Sequence, residues 1–179
     1  MACLNGYTLK GIGFDCNPNL AGIKKIYLGY HEDFTVTTVE TGDDDATTHS
    51  ATIEAIGDGK LYEYTFAKRT GSLTSTLTKD ETNGTRYYTN EITLQFNKLE
   101  GWKHMEIEAM AAEALIAVVI DNNNNGWLVG ADGYLSATAS TAQTGASYDE
   151  MNGYNITMSA MSAHLPYTIN ESDLSGLVG

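Results

Sequence analysis

Apolar and polar positions alternate most cleanly over Tyr87–Asn97. Tyr88, Ile92, Leu94 and Phe96 fall on one side there, and Thr89, Glu91, Thr93 and Gln95 on the other. That period of two predicts a strand with one buried face. Ser72–Lys79 predicts a second, with Ser72, Thr74, Thr76 and Thr78 opposite Leu73, Ser75, Leu77 and Lys79, and Asn83-Gly84 supplies the turn between the two. Each strand carries a Thr-rich, uncharged-to-acidic face. Either that face meets bulk water or it lines something shared. Ile23–Gly29 and Phe34–Glu40 read as earlier strands. Thr52–Ile56 and Leu61–Phe66 flank Asp58-Gly59 as the arms of a type I′ hairpin would.

Between Glu100 and Gly133 the period changes. Lys103–Glu113 consists almost entirely of strong helix formers, with Ile107 the one β-branched residue. Ala114–Ile120 then turns apolar and β-branched, as a buried strand does, and Asp121–Gly126 supplies turn residues before a return strand at Trp127–Val129. The helix has two apolar stripes: Trp102, Met105, Ala109 and Ala112 on one, Ile107, Met110, Ala111 and Ala114 roughly opposite. A helix lying on one sheet needs a single stripe. Two stripes predict burial on two sides, the second against the N-terminal arm or another copy of the chain. Ile107, Met110, Ala111 and Ala114 are the candidate subunit interface. Further on, Tyr134–Ser140 and Gly153–Met161 are expected strands, Pro166–Ile169 a short edge pairing, Ala142–Glu150 a loop, and residues 170–179 a polar C-terminal tail. Residues 1–20, punctuated by Gly and Asn, read as an N-terminal arm. No internal repeat is apparent, and 1–179 is expected to form a single β domain.

Composition sharpens this picture. Eighteen glycines, two prolines and abundant Thr, Ser, Tyr and Asn suit a β-rich chain with tight turns. The net charge of −13 repels nucleic-acid phosphate and disfavours a protein that grips DNA or RNA. Cys3 and Cys16 are too few for a disulfide framework and are expected as free, partly buried thiols. No signal-peptide pattern or membrane-length apolar run is present, so assembly in a cytosol is expected, with no membrane partner.

Candidate chemistry is sparse. Asp121–Gly126 with Asp132 satisfies D-x-[DN]-x-[DN]-G, but Asp stands where a Ca²⁺ loop prefers a bidentate Glu, and strands rather than helices flank it. A plain hairpin turn is the better reading. Asp43-Asp44-Asp45 invites a cation but reads as a solvated loop. His31, His49, His104 and His164 show no metal spacing. Three glycosylation sequons, at Asn83, Asn155 and Asn170, mean little without a secretory signal. No hydrolase, zincin, P-loop or dinucleotide fingerprint occurs, so no catalytic residue, cofactor or metal is assigned and an enzyme is not expected.

Taken together, CNPNLAGIKKIYLG, the Thr-rich hairpin, NGTRYYTNEITLQF, the helix of alternating Glu and Ala, ALIAVVIDNNNNGWLVG and NGYNITMSA resemble bacteriophage and prophage tail tube proteins of gut bacteria. The resemblance runs from about Cys16 to Ile169 as a diffuse pattern without a diagnostic short motif. It implies a mainly β fold with one flanking α-helix, an antiparallel β-sandwich or small barrel of tail-tube type, assembling into stacked hexameric rings. Self-association, other tail proteins and transient, non-specific passage of DNA are the partners it implies. The implied location is the virion tail, assembled in the bacterial host cytoplasm. In such a tube Thr74, Thr76, Thr78, Thr89, Glu91, Thr93 and Gln95 are placed on the lumen face. Lys68, Arg69, Lys79 and Arg86 lie within or beside that hairpin and would weaken a phosphate-repelling lumen if they pointed into it. The alternatives are another virion β-sandwich (a tail hub, tail-ring or capsid decoration protein) or a carbohydrate- or ligand-binding β module with Trp102, Trp127 and the tyrosines as stacking platforms.

Overall fold

In the computed structural model the strand β7 (Leu115–Asp121) is buried from Leu115 through Ile120, so both of its faces are covered. The structure describes residues 11–14, 16–41, 48–67 and 69–179; Cys3, Asp43-Asp44-Asp45 and Lys68 lie outside the described residues. Among the described residues the fold is mainly β with one α-helix.

Around β7 runs a seven-stranded sheet. It contains β1 (Ile23–Tyr30), β2 (Phe34–Thr41), β3 (Thr48–Ala55), β4 (Tyr62–Tyr64), β8 (Gly126–Val129) and β11 (Tyr167–Ile169), in the order β2-β3-β11-β8-β7-β1-β4. All its pairings are antiparallel except β3 with β11. A second sheet has four strands, β5 (Ser72–Asp80), β6 (Thr85–Asn97), β9 (Ser136–Gln143) and β10 (Gly153–Ser162), ordered β5-β6-β10-β9 and antiparallel throughout. The helix α1 spans Gly101–Ala112.

Two apolar clusters follow from the alternation of β7. Leu115, Ala117 and Val119 face the smaller sheet and pack with Ile92, Leu94, Ile156 and Met158. Ile116, Val118 and Ile120 face the other way and meet Phe34, Ile53, Tyr167 and Leu174. That second cluster joins side chains from strands far apart in the sheet order, so the large sheet must curl around it. Each fully buried Val, Leu or Ile contributes roughly 1.5–3 kcal/mol. Gly126 marks a close approach, because a Cβ there would lie 2.2 Å from the carbonyl oxygen of Ile169 on β11.

Three expectations are corrected. Asp58-Gly59 does not join a hairpin: β3 pairs with β2 and β11, while β4 pairs with β1. The turn residues reverse the chain without deciding which strand it meets next. The C-terminal residues are no free polar tail. Glu171–Leu174 forms a 3-10 turn with Leu174 buried, and Leu61 and Val178 bridge in parallel. Lys25 on β1 pairs with Glu171, which also accepts a hydrogen bond from the Tyr27 hydroxyl at 3.3 Å, pinning this segment to the sheet.

The third correction concerns α1. Ile107 and Met110 of the proposed interface stripe point into the inter-sheet core, at 9 % and 3 % exposure. Trp102 and Met105 are the exposed apolar side chains, at 63 % and 74 %. Ala111 is exposed and Ala114 half-buried, so only the margin of the proposed stripe is open.

The helix start is fixed electrostatically. Glu100 pairs with Lys98 at 2.5 Å and Lys103 at 2.9 Å, and the Tyr154 hydroxyl donates to the Glu100 carbonyl at 3.2 Å. Hydrogen bonds from Lys98 and then Lys103 hold the Glu100 carboxyl down at about 2, against an ordinary value of 4.5.

Two predictions follow from the helix. Met110→Ala should cost about 2–5 kcal/mol in denaturant unfolding, whereas Met105→Ala should stay within about 0.5 kcal/mol of the wild type. A depressed carboxyl stabilises the fold above its unfolded value and loses that contribution as pH falls through its folded one. The melting curves of wild type and Glu100→Gln should therefore separate above pH 4.5 and converge as pH falls toward 2.

Candidate functional site

The smaller sheet presents a largely polar outer face. Register places Thr74 opposite Glu91, Thr76 opposite Thr89 and Ser72 opposite Thr93. On the next strand Asn155 lies opposite Gln95, Thr157 opposite Thr93 and Ser159 opposite Glu91, and Thr141 on β9 faces Asn155 in turn. Alternation sets all of these on the side away from the core. Thr74, Thr76, Thr78, Thr89, Glu91, Thr93 and Gln95 thus share one face, which extends over β10 and β9 mainly as Thr, Ser, Asn and Gln. Tyr87 opposite Thr78, Met161 opposite Thr89 and Ala139 opposite Thr157 also lie on it. Its opposite side holds Leu73, Ile92, Leu94 and Phe96 against the core.

Charge on this face is of one sign. Glu91 lies on it, and Asp80 joins it at the β5–β6 turn, opposite Thr85. Backbone and side-chain donation from Asn83, with the Thr82 N–H, holds the Asp80 carboxyl below its ordinary range. Lys79 and Arg86 are opposite one another in the alternate register, so both belong to the other side of the sheet. Lys79 pairs with Glu81 at 2.7 Å. Arg69 sits in the loop before β5 with φ 68°.

Among the described residues, both edges of this sheet are open. The order ends in β5 on one side and β9 on the other. Ser72–Thr78 and Ser136–Gln143 carry no charged residue and no proline, the usual guards of an edge. One bulge interrupts β9 between its pairings with Thr157 and Met158. There the Thr138 hydroxyl donates to the Thr157 carbonyl at 3.2 Å.

A different surface lies beside α1. Tyr64 on the outer strand β4 donates to Glu106 on the helix at 2.9 Å, and burial followed by that bond pushes its hydroxyl pKa up. A cleft of about 470 Å³ opens beside this bridge, between Tyr30, Tyr62 and Met110. Another of about 400 Å³ lies between Tyr64, Phe96 and Trp102. Sequence reasoning singled out Trp102 and the tyrosines as a group but missed Glu106 and its pairing with Tyr64 across the fold.

The Asp121–Asn125 turn closes on itself. Asp121 Oδ1 accepts from the N–H groups of Asn123 and Asn125, both at 2.8 Å, and Oδ2 accepts from Trp127 Nε1 at 3.1 Å. Burial opposes its charge, but the Asn125, Trp127 and Asn123 donors outweigh it and hold the carboxyl low. Trp127 is engaged in that bond and half-buried against the core. Asp132 instead accepts from Ser162 at 2.6 Å and Tyr167 at 3.3 Å. The structure also gathers His49 and His164, with ring centroids 5.6 Å apart, and stacks His49 on Tyr167 at 4.1 Å. His31 and His104 stand apart, His31 in the short turn before β2 and His104 edge-on to Tyr154. Among the described residues no group of three or more His, Cys, Asp or Glu is placed to hold a metal ion, and no helix is long and apolar enough to cross a membrane.

Comparison with family models, with curated proteins and with solved structures finds no match.

A Ca²⁺ loop and a self-satisfied turn differ in one simple test. Adding chelator should leave the melting temperature unchanged, since removing a ligand of the native state would lower it. Asp121→Ala, which strips acceptors from the turn donors, should cost about 1–3 kcal/mol in the same assay.

Proposed function

We propose that this chain is a structural subunit of a bacteriophage tail tube, forming rings whose polar, acidic inner wall is a conduit for DNA. The observation that carries this reading is the outer face of the four-stranded sheet. It is continuous, rich in hydroxyl and amide groups, and on its strands carries carboxylates and no basic side chain. A wall of this kind stays wetted and does not retain phosphate.

The uncharged stretches Ser72–Thr78 and Ser136–Gln143 of the two edge strands supply the means of closure. Strand β5 of one copy meets β9 of the next, a head-to-tail contact that repeats and closes as a ring. Six copies, as in the proteins the sequence resembles, then present Thr74, Thr76, Thr78, Thr89, Glu91, Thr93 and Gln95 to the lumen. Stacked rings and other tail proteins complete the tube in the virion. The chain's own chemistry here is passive: it positions polar groups and excludes adhesion.

Charge sign tests the mechanism directly. Phage carrying Thr76→Lys or Thr93→Lys should build tails of normal length yet eject DNA slowly or incompletely, more so at low salt, because each ring then offers a basic girdle. Thr76→Glu should eject normally. Lys variants that eject like wild type would sink the conduit reading.

A further inference from the structure

Three tyrosines converge on one cleft beside α1. Ile26 and Leu28 of β1 point to the helix side of the large sheet, and alternation puts Tyr30 there too. Register sets Tyr62 opposite Leu28 and Tyr64 opposite Ile26, on the same side. Tyr30, Tyr62 and Tyr64 thus line the cleft of about 470 Å³, with the buried Leu28 and Met110 beneath them. Tyr30 and Tyr62 remain 44 % and 51 % exposed, so both can be reached from solvent. Burial, and then the bond to Glu106, push the Tyr64 hydroxyl up; the hydroxyls of Tyr30 and Tyr62 add to that push, as neighbours do.

The fixed charge around these rings is of one sign. Glu106 accepts from the Tyr64 hydroxyl with one oxygen, and no ion pair among the described residues engages it. Glu63 lines the same cleft, and Glu32, Asp33 and Glu113 line a smaller one, of about 280 Å³, that shares Tyr30. Among the described residues no Lys or Arg lines either cleft. The lysines of neighbouring segments are engaged elsewhere: Lys60 donates to the Gly176 carbonyl at 2.9 Å, and Lys103 pairs with Glu100.

We propose that the cleft between β4 and α1 binds a quaternary ammonium group, held by the rings of Tyr30, Tyr62 and Tyr64 and by the Glu106 carboxylate. The lining decides among ligand classes. An anion would meet only carboxylates. A neutral apolar ligand would cover Glu106 and leave its charge unpaired, which is costly. A primary ammonium or a guanidinium brings several N–H donors, and aromatic rings answer these poorly. A trimethylated ammonium has no donor to satisfy and is attracted both by ring faces and by negative charge. The cleft also falls within the roughly 300–1,000 Å³ of small-ligand sites. Free choline and a phosphatidylcholine headgroup share this chemistry. The site lies on the large sheet and the helix, so the inference does not depend on the tube reading.

Calorimetric titration of the full chain with choline, at fixed ionic strength, is compared with its neutral isostere, in which a tert-butyl group replaces the trimethylammonium. Choline should bind saturably at millimolar concentration, and the isostere about tenfold more weakly. Tyr62→Leu should weaken choline about tenfold, whereas Tyr62→Phe, which keeps the ring, should not. Glu106→Gln should weaken choline and leave the isostere unchanged. Tyr62 and Glu106 are both exposed, and circular dichroism of each variant checks folding. Co-sedimentation with phosphatidylcholine vesicles but not phosphatidylglycerol vesicles would name a lipid headgroup as the source. Choline binding without co-sedimentation would name a free solute, and either result supports the site. Choline that does not bind, or that binds no more tightly than its isostere, would overturn the proposal. So would choline binding that Tyr62→Leu leaves untouched.

Discussion

Strand β7 meets no water on either face along Leu115–Ile120, and most of the architecture answers that requirement. One face needs a cover of its own, supplied by β6 and β10 of the smaller sheet together with Ile107 and Met110 of the helix. The other needs a second cover, supplied by the curling of the large sheet and by Leu174 from the C-terminal turn. Burying both sides demands apolar residues at every position, which is why Leu-Ile-Ala-Val-Val-Ile runs without alternation. The smaller sheet is recruited by only one of those faces. Its own far side is left to solvent, and that far side becomes the candidate functional surface.

Geometry follows from this division of labour. A sheet covered on one side can vary its outer face freely, because those side chains bear none of the packing load. Here the outer face is filled with small hydroxyl and amide groups, its strand charges are acidic, and Lys79 and Arg86 fall in the opposite register. The edges follow the same logic. Ser72–Thr78 of β5 and the whole of β9 lack the charges that ordinarily discourage pairing, and β5 carries them only at its Lys79-Asp80 end. This suits strands that continue into a neighbour.

Much of this was legible in the chain. Tyr87–Asn97 revealed its faces because one is buried and the other is not, and the hairpin with Ser72–Lys79 was fixed by an adjacent Asn-Gly turn. Pairings between distant segments were not legible: nothing local says that β3 meets β11, or that β4 meets β1 rather than β3. The helix misled for a related reason. Its two stripes are similarly apolar, so the sequence alone does not decide whether Met105 or Met110 faces the core. Residues 170–179 looked polar by count, yet Leu174 fills the second cluster and Leu177 packs against it. The Tyr64–Glu106 bridge joins residues 42 apart, a proximity that only the fold creates.

The most direct measurement is a cryo-electron microscopy reconstruction of the purified protein at high concentration. The conduit reading predicts closed sixfold rings or tubes with β5 paired to β9 of the next copy, and with Thr76, Thr89 and Glu91 on the inner wall. A protein that stays monomeric, or rings that turn this face outward, would contradict it.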